Sequence, residues 1–257
     1  MMDVAVRPSL ARAANDGERH LPVLDPESKN HYRHMAAYHF ALAFVRGRDL
    51  LDHGCGTGYG TNFLWRRGAP RSLVAQDVSP DAIAYCRATY EDIADSFHVV
   101  APGVVPQAQA SLDVAVIFQM IEHVTDDQAL LSALARALRP GGVLLVTTPN
   151  AALSGGDTDH PDNVHHVREY DRASLHRLCR SAFPIVEEYG IRGSFRVGGT
   201  GIGPERFSLY RAARRAVRPL GFPRYVAPIS LADFMIDTRR VDEALDLLFV
   251  CRREPGA

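Results

Sequence analysis

DLLDHGCGTGYGTNFL, residues 49–64, is the stretch from which the fold can be inferred. Leu50 and Leu51 are typical of the end of a buried strand, and Asp52 stands at its carboxyl end. Four glycines on alternate positions follow, and an apolar helical pattern comes after them. A strand, a tight turn and a helix in this order form the first unit of an open α/β sheet. Because glycine permits positive φ and close approach of backbone to a ligand, we expect a ligand on this turn.

The spacing of these glycines disfavours two common phosphate-binding motifs. A dinucleotide fingerprint, G-x-G-x-x-G, needs glycine where the chain has Tyr59 or Thr61. A P-loop needs Gly-Lys-Ser/Thr, and the only lysine of the chain, Lys29, lies far upstream. An NAD-linked reductase and a nucleoside triphosphatase are therefore disfavoured.

The stretch resembles the first motif of the class I S-adenosylmethionine (SAM) methyltransferases, in which two hydrophobic residues precede D-x-G-C-G-x-G. The resemblance implies that SAM binds at the turn and leaves as S-adenosylhomocysteine (SAH). The cofactor contacts that it implies here are Asp52, Gly54, Cys55, Gly56 and Gly58.

Composition limits the remaining possibilities. The 257 residues are 46% hydrophobic, enough for one substantial core. A net charge of -1 gives no basic field for nucleic acid. No stretch approaches the ~20 apolar residues of a membrane span, so we expect no membrane contact. The four cysteines form no CxxC pair and are interpreted as free thiols of a cytoplasmic protein: Cys55, Cys86, Cys179 and Cys251.

The domain organisation follows from shifts in pattern along the chain. Residues 1–27 are polar and predict a loose arm, and residues 28–46 have helical periodicity, with Tyr32 or His34 as possible cofactor contacts or core residues. Residues 28–257 are interpreted as a single domain. Its SAM-binding half is 46–150, and its acceptor-binding half is 151–257, with a lid insertion at about 193–229.

The second predicted strand, residues 72–78, ends at Asp77, about 20 residues beyond the glycines. A carboxylate at this strand tip is placed to accept the two hydroxyls of a ribose, with Val78 beside it. A helix is predicted over 81–95 and a third strand over 97–100. The family usually has an acidic residue after this strand for the adenine amino group, but the chain has Ala101 and Pro102, which leaves that contact unassigned.

The fourth strand, residues 113–118, runs into Gln119, Met120, Glu122 and His123, a segment that resembles the fourth motif of these methyltransferases. The resemblance implies that Gln119 and Met120 line the cofactor pocket. A helix is predicted over 127–138, followed by a stop signal and a fifth strand over 143–148.

The second half adds a polar loop, a helix over 172–182, a strand over 186–191 and a final strand over 246–252. Residues 165–170, HHVREY, resemble a type 11, UbiG-like subgroup of bacterial sugar and natural-product methyltransferases. The predicted fold is Rossmann-like α/β: a seven-stranded, mostly parallel sheet with an antiparallel last strand, helices on both faces, an N-terminal helix and a lid.

Candidate catalytic residues follow from the proton that an acceptor hydroxyl must lose. Imidazole suits that task, and both His123 and His166 are predicted at the carboxyl edge of the sheet. Glu122 is expected either to orient His123 or to cap the next helix.

Two polar clusters have ordinary explanations. The polar loop cluster consists of Asp157, Asp159, His160, Asp162, His165 and His166. Its spacing fits no fixed set of metal ligands, so we interpret it as a solvated loop and predict no metal site. The second cluster consists of the arginines of the lid, which either bind an anionic acceptor or form a solvated helix face: Arg206, Arg211, Arg214, Arg215 and Arg218.

The predicted function is methyl transfer from SAM to a small molecule, at a hydroxyl of a sugar or natural-product intermediate. Transfer to nitrogen or carbon is an alternative, as is a non-catalytic nucleoside-binding regulator. The sequence does not predict an oligomeric state.

Overall fold

The computed structural model describes residues 28–154, 163–194, 197 and 229–255. The predicted arm, residues 1–27, and nearly all of the predicted lid lie outside the described residues. So do its five arginines and four members of the polar loop cluster, namely Asp157, Asp159, His160 and Asp162.

Eight strands form one sheet in the order β3-β2-β1-β4-β5-β8-β6-β7. The first five strands are parallel, whereas β8 is antiparallel to both of its neighbours, β5 and β6. The strands are β1 Asp49–His53, β2 Ser72–Asp77, β3 Phe97–Val99, β4 Leu112–Phe118, β5 Leu138–Pro149, β6 Ile185–Gly193, β7 Phe234–Asp237 and β8 Asp246–Arg252.

Helices cover both faces of this sheet. They are α1 Lys29–Val45, α2 Tyr59–Phe63, α3 Pro80–Thr89, α4 Asp127–Ala137, α5 Ala151–Ser154 and α6 Arg172–Ala182. Short helical turns cover Leu64–Gly68, Glu91–Ser96, Ile121–His123, Leu231–Asp233 and Val241–Glu243. Within the described ranges, none of the helices combines the length and apolar composition that a bilayer crossing requires.

The predicted fold class is confirmed, but the predicted number of strands is wrong. Strand β7 pairs antiparallel with β6, with Ile191 opposite Ile236, and makes an eighth strand at the edge. Its four residues are only partly buried or exposed, so the alternation that marks a buried strand is weak there.

The alternation of side chains along the parallel strands divides the core into two layers. Leu50 belongs to the layer under α1, and its neighbour Leu51 belongs to the layer under α4. Both side chains are fully buried, which explains why the parallel strands show continuous apolar runs.

The predicted helix over 81–95 is interrupted at Tyr90. Helix α3 ends at Thr89, and Tyr90 adopts non-helical angles, φ -117° and ψ 63°. The Tyr90 ring stacks on Phe97 with centroids 6.0 Å apart, so tertiary packing stops the helix and a short turn leads into β3. Strand β5 also starts earlier than predicted, at Leu138, because the predicted stop signal lies within a register shift against β4.

Helix α1 packs directly on the glycine turn. Its N-terminus is capped by Ser28, whose hydroxyl accepts a hydrogen bond from His31 N. Tyr38, on the buried face of α1, lies where a Cβ on Gly60 would overlap its ring. Gly60 therefore serves helix packing, whereas Gly54, Gly56 and Gly58 have positive φ and shape the turn itself.

We expect Gly60→Ala to destabilise the protein by about 1–3 kcal/mol, the usual range for an overpacked core. The ring of Tyr38 cannot withdraw easily, since it packs edge-on against Phe118 at 4.9 Å. Urea unfolding measures the change. In a Tyr38→Leu background the same substitution should cost less, because the overlapping ring is gone. Equal costs in both backgrounds would contradict this packing role.

Candidate active site

A cavity of about 920 Å³ runs along the carboxyl edge of the parallel strands. Ligands of open α/β folds bind at this edge. Its walls come from the loops after β1, β2, β3, β4 and β5 and from helix α1. The predicted site residues that line it are Gly54, Cys55, Gly56, Asp77, Val78, Gln119, Met120, His123 and His166.

Asp77 joins the tip of β2 to the glycine turn. One carboxylate oxygen, Oδ2, accepts a hydrogen bond from Gly56 N at 2.9 Å, and the other, Oδ1, accepts from Ser79 N at 2.9 Å. Ser79 in turn is the N-cap of α3. The side chain is only 6% exposed and lines the cavity. The carboxyl group is thus held in place at the wall of the cavity.

Asp52 lies beneath the turn rather than in the cavity wall. Its carboxylate is fully buried and accepts a hydrogen bond from Thr61 Oγ1 at 2.6 Å. Burial raises the pKa of Asp52 to about 7; the hydrogen bond from Thr61 opposes this rise, and the charge of Asp77 adds to it. The structure therefore gives Asp52 a supporting position beneath the turn, and the cofactor contact that the resemblance implied stays a prediction.

Gly58 also faces protein instead of the cavity. A Cβ there would come within 2.8 Å of Cys86 Sγ and 2.9 Å of Tyr90 Cε2, and its φ of 75° disfavours any side chain. Cys55 lines the cavity but is only 3% exposed. All four cysteines are buried and free, as the sequence predicted.

The wall after β3 is formed by Val100, Pro102 and Gly103, and Val78 lies across from them at the end of β2. None of these lining residues is acidic, in agreement with the missing carboxylate noted in the sequence. This end of the cavity thus offers apolar side chains and backbone groups to a flat ring.

The tip of β4 is bent so that two predicted residues reach the cavity. Gln119 has a positive φ of 53°, and its backbone N–H donates to Thr147 O at 2.9 Å. Met120 packs over the turn, since a Cβ on Gly54 would lie 2.6 Å from Met120 Cγ. Gly54 is therefore required by the close approach of Met120 as well as by its own φ of 83°.

Helix α1 supplies lining residues that the sequence analysis missed, above all Arg33 and Asn30. Arg33 Nε lies 3.1 Å from Asp246 Oδ2, and the arginine side chain is 18% exposed. His34 also lines the cavity, with Nδ1 2.9 Å from the Tyr59 hydroxyl, whereas Tyr32 does not line it. Arg33 could have been found from the sequence, because a charged residue within the apolar repeat of α1 indicates that it faces a polar surface.

The two predicted histidines meet in the wall of the cavity. The rings of His123 and His166 lie edge to face with centroids 5.0 Å apart. Val167 N donates to Glu122 O at 2.8 Å, which attaches the loop carrying His166 to the turn carrying His123. The attachment is extended by Arg168, whose Nη1 lies 2.7 Å from Asp127 Oδ2. Consecutive residues of the HHVREY segment thus have structural roles: His166 contacts His123, while Val167 and Arg168 hold the loop to the turn after β4.

Each imidazole has its Nδ1 next to an acceptor. His123 Nδ1 lies 2.9 Å from His165 O, and His166 Nδ1 lies 3.3 Å from Glu169 Oε1. Because carbonyl and carboxylate oxygens accept, Nδ1 carries the proton in the neutral rings and Nε2 carries the lone pair. The Nε2 of His166 lies 3.1 Å from Asn163 Nδ2, which can donate to it.

Glu122 has neither of the two roles predicted for it. His123 bonds to the carbonyl of His165, and helix α4 is capped by Asp126. The Glu122 side chain is buried instead, and its Oε2 accepts a hydrogen bond from Thr148 Oγ1 at 3.0 Å. Burial raises the pKa of Glu122 to about 8.

The raised pKa of Asp52 predicts a pH-dependent stability. An unfolded aspartate has a pKa of about 3.9, so the folded protein binds this proton more tightly than the unfolded chain. The stability from this group is present below about pH 4 and is lost as pH rises towards about 7.

We expect the stability of Asp52→Asn not to fall in this way, because asparagine stays neutral at every pH. Between pH 5 and pH 8 the wild type should lose about 1–3 kcal/mol more unfolding free energy than the variant. Urea unfolding at the two pH values measures the difference. The exposed residue Asp95 provides a control, since Asp95→Asn should follow the wild type. Parallel behaviour of wild type and Asp52→Asn would contradict the buried proton.

Comparisons with known proteins agree with this geometry. A family described as methyltransferase domain matches residues 27–182, more than half of the chain. A probable SAM-dependent methyltransferase of Mycobacterium tuberculosis is 32% identical over 249 residues, which cover 92% of this chain and 88% of that protein. Another, from Mycolicibacterium smegmatis, is 36% identical over 176 residues, 68% of this chain and 67% of that protein.

Solved structures support the fold. A SAM-dependent methyltransferase of Thermotoga maritima, described as a possible histamine N-methyltransferase, superposes with a TM-score of 0.60 at 14% identity. The superposition covers 87% of this chain and 90% of that one. Together with the family match and the two relatives, it shows that the chain belongs to the class I SAM-dependent methyltransferases and that its cofactor is SAM.

Proposed function

We propose that this methyltransferase acts on a hydroxyl of a small molecule, a sugar or a natural-product intermediate. One observation carries the proposal: two imidazoles stand together in the cavity wall, and each has its Nδ1 next to an oxygen acceptor. A hydroxyl must lose a proton to become a methyl ether, and imidazole is the side chain best suited to assist at neutral pH.

The lining residues indicate which groups would hold the cofactor. The carboxylate of Asp77, which accepts from Gly56 N and Ser79 N, would also accept the ribose hydroxyls. Val78 and the wall after β3 would hold the adenine. The guanidinium of Arg33 would bind the methionine carboxylate in a charge-assisted contact.

With the cofactor held in this way, Gln119, Met120 and the histidine pair would line the space next to the sulfonium methyl group. The acceptor oxygen forms a bond to the methyl carbon while the carbon–sulfur bond breaks, and the electron pair of that bond goes to sulfur, giving SAH. In the absence of a bound cation, His123 Nε2 takes the proton of the hydroxyl. Holding the two reactants in near-attack geometry contributes on the order of 7–11 kcal/mol.

The size and charge of the molecule favour a small acceptor. A cavity of about 920 Å³ is within the range of small-molecule sites and must hold the cofactor as well. A net charge of -1 gives no field that would attract nucleic acid. The free, buried thiols are consistent with a reducing compartment, so we place the protein in the cytoplasm.

Asp77→Ala should weaken SAH binding more than tenfold, because the ribose loses its acceptor. The substitution also removes the bonds to Gly56 and Ser79, so Asp77→Asn, of the same shape, is measured beside it. Asn offers only one acceptor oxygen, and an intermediate loss is expected. Calorimetry with SAH gives the affinities.

The exposed residue Asp95 is the matched control, and Asp95→Asn should bind SAH like the wild type. If Asp77→Ala kept the wild-type affinity, the ribose assignment would be wrong.

His123→Ala and His166→Ala should each lower kcat for methyl transfer at least tenfold, a typical contribution of general acid–base catalysis being 10²–10⁴-fold. SAH affinity should be unchanged, because neither ring contacts the proposed cofactor position. His98→Ala is the control, since His98 is exposed on β3. Methyl transfer is measured by mass spectrometry over a panel of sugars and phenols. Full turnover in either variant would remove that residue from the reaction.

A non-catalytic nucleoside-binding protein is the second candidate, and the absence of an acidic residue from the wall after β3 favours it. SAH binding without methyl release over the whole acceptor panel would support that candidate. A product one methyl group heavier than its acceptor would reject it.

A further inference from the structure

We propose that Glu122, His123 and His166 bind a divalent transition-metal cation at the acceptor end of the cavity, an inference that rests on the proposed acceptor hydroxyl. One ligand atom from each of the three residues lies within 4.8 Å of the other two. Two ligands of one metal ion at bond lengths of about 2.1 Å are separated by no more than ~4 Å. Side-chain shifts of less than 1 Å would therefore close the site.

The three ligands come from two loops that the backbone holds together. Glu122 and His123 lie in the turn after β4, and His166 lies in the loop before α6. The carbonyl of Glu122 accepts hydrogen bonds from Val167 N at 2.8 Å and Arg168 N at 3.3 Å. The relative position of the two imidazoles is therefore set by backbone contacts and does not depend on an exposed side chain.

Both imidazoles are oriented as metal ligands usually are. A histidine ligand commonly donates its second ring N–H to a carboxylate or a backbone carbonyl, which fixes the tautomer and raises ligand basicity. His166 has Glu169 in that position, and His123 has the carbonyl of His165. Glu169 is 4% exposed, so this carboxylate is a built part of the site. We infer that Nε2 is the ligand atom of each ring.

Asn163 borders the proposed site at His166. Its Nδ2 lies 3.1 Å from His166 Nε2, and its Oδ1 accepts from His165 N at 3.1 Å, which fixes the orientation of the amide. An N–H group thus directs partial positive charge at the His166 lone pair. A cation would take over that lone pair, and the amide would move aside.

Glu122 would supply the third ligand atom, binding the cation as a carboxylate after losing its proton. It is 1% exposed, and one of its oxygens accepts the hydrogen bond from Thr148. A carboxylate is rarely this buried unless it is paired or coordinates a metal. Two imidazoles with one carboxylate favour Mn²⁺, Fe²⁺ or Zn²⁺ over Ca²⁺, and three protein ligands leave positions open.

An open position would take the acceptor hydroxyl. The cation lowers the pKa of the bound hydroxyl, the proton leaves to solvent water, and the resulting alkoxide attacks the sulfonium methyl carbon. The carbon–sulfur bond breaks and its electron pair goes to sulfur, so SAH forms without a change of oxidation state. The imidazoles then hold the cation instead of taking the proton.

The test is calorimetric titration of the full chain with Mn²⁺ alone, after treatment with a chelator. One ion per chain is expected to bind, and His123→Ala and His166→Ala should each weaken that binding at least tenfold. His98→Ala, at an exposed histidine outside the cluster, should bind Mn²⁺ like the wild type. His123 is accessible to solvent, so its replacement leaves the core intact even if Glu122→Gln does not fold.

SAH binding by the same samples separates this inference from the proposed function. Normal SAH affinity with no Mn²⁺ binding up to millimolar concentration, or with equal Mn²⁺ binding by wild type and both histidine variants, overturns the metal site alone. Loss of SAH binding in the wild type would instead overturn the proposed function. Stoichiometric Mn²⁺ binding that depends on both histidines establishes the site.

Discussion

The carboxylate of Asp77 ties together the two strand tips on which the site is built. It bonds to Gly56 N, while the carbonyl of the preceding residue, Gln76, accepts from Gly54 N at 2.7 Å and from Cys55 N at 2.9 Å. The end of β2 thereby fixes the whole turn after β1. An acidic side chain and the glycine turn are then held together at one edge of the sheet, where a nucleoside can meet both.

The packing behind the turn makes this arrangement rigid. Tyr38 on α1 presses against Gly60, and Cys86 on α3 lies against Gly58, so helices from two sides fix the same short segment. The buried carboxyl group of Asp52 lies beneath it and bonds to Thr61. The alternate glycines are therefore required for several reasons: positive backbone angles, close helix contacts and the approach of Met120. Only part of the glycine pattern is explained by ligand binding.

Much of the parallel half could be predicted from sequence, because the signals there are local. Apolar runs ending at Asp52, Asp77 and Phe118 defined strand tips, and tips of parallel strands share an edge. The short edge strand β7 could not be predicted, since its residues are only half-buried. The sequence also did not reveal that Gly58 and Gly60 pack against other side chains, because those neighbours are distant along the chain.

The acceptor end depends on contacts that spacing along the chain does not reveal. His123 and His166 were each candidates by position, but contacts between their two loops bring them together, among them the bond from Val167 N to the carbonyl of Glu122. Arg33 enters the cavity from a helix that precedes the sheet. Tertiary packing places such residues in the site, so no local sequence motif predicts them.

A crystal structure of the protein with SAH tests the central claim most directly. The account predicts the ribose hydroxyls within hydrogen-bond distance of the Asp77 carboxylate, and the sulfur directed at the side of the cavity that holds His123 and His166. SAH bound away from the glycine turn, or with its sulfur facing Val100 and Pro102, would contradict it.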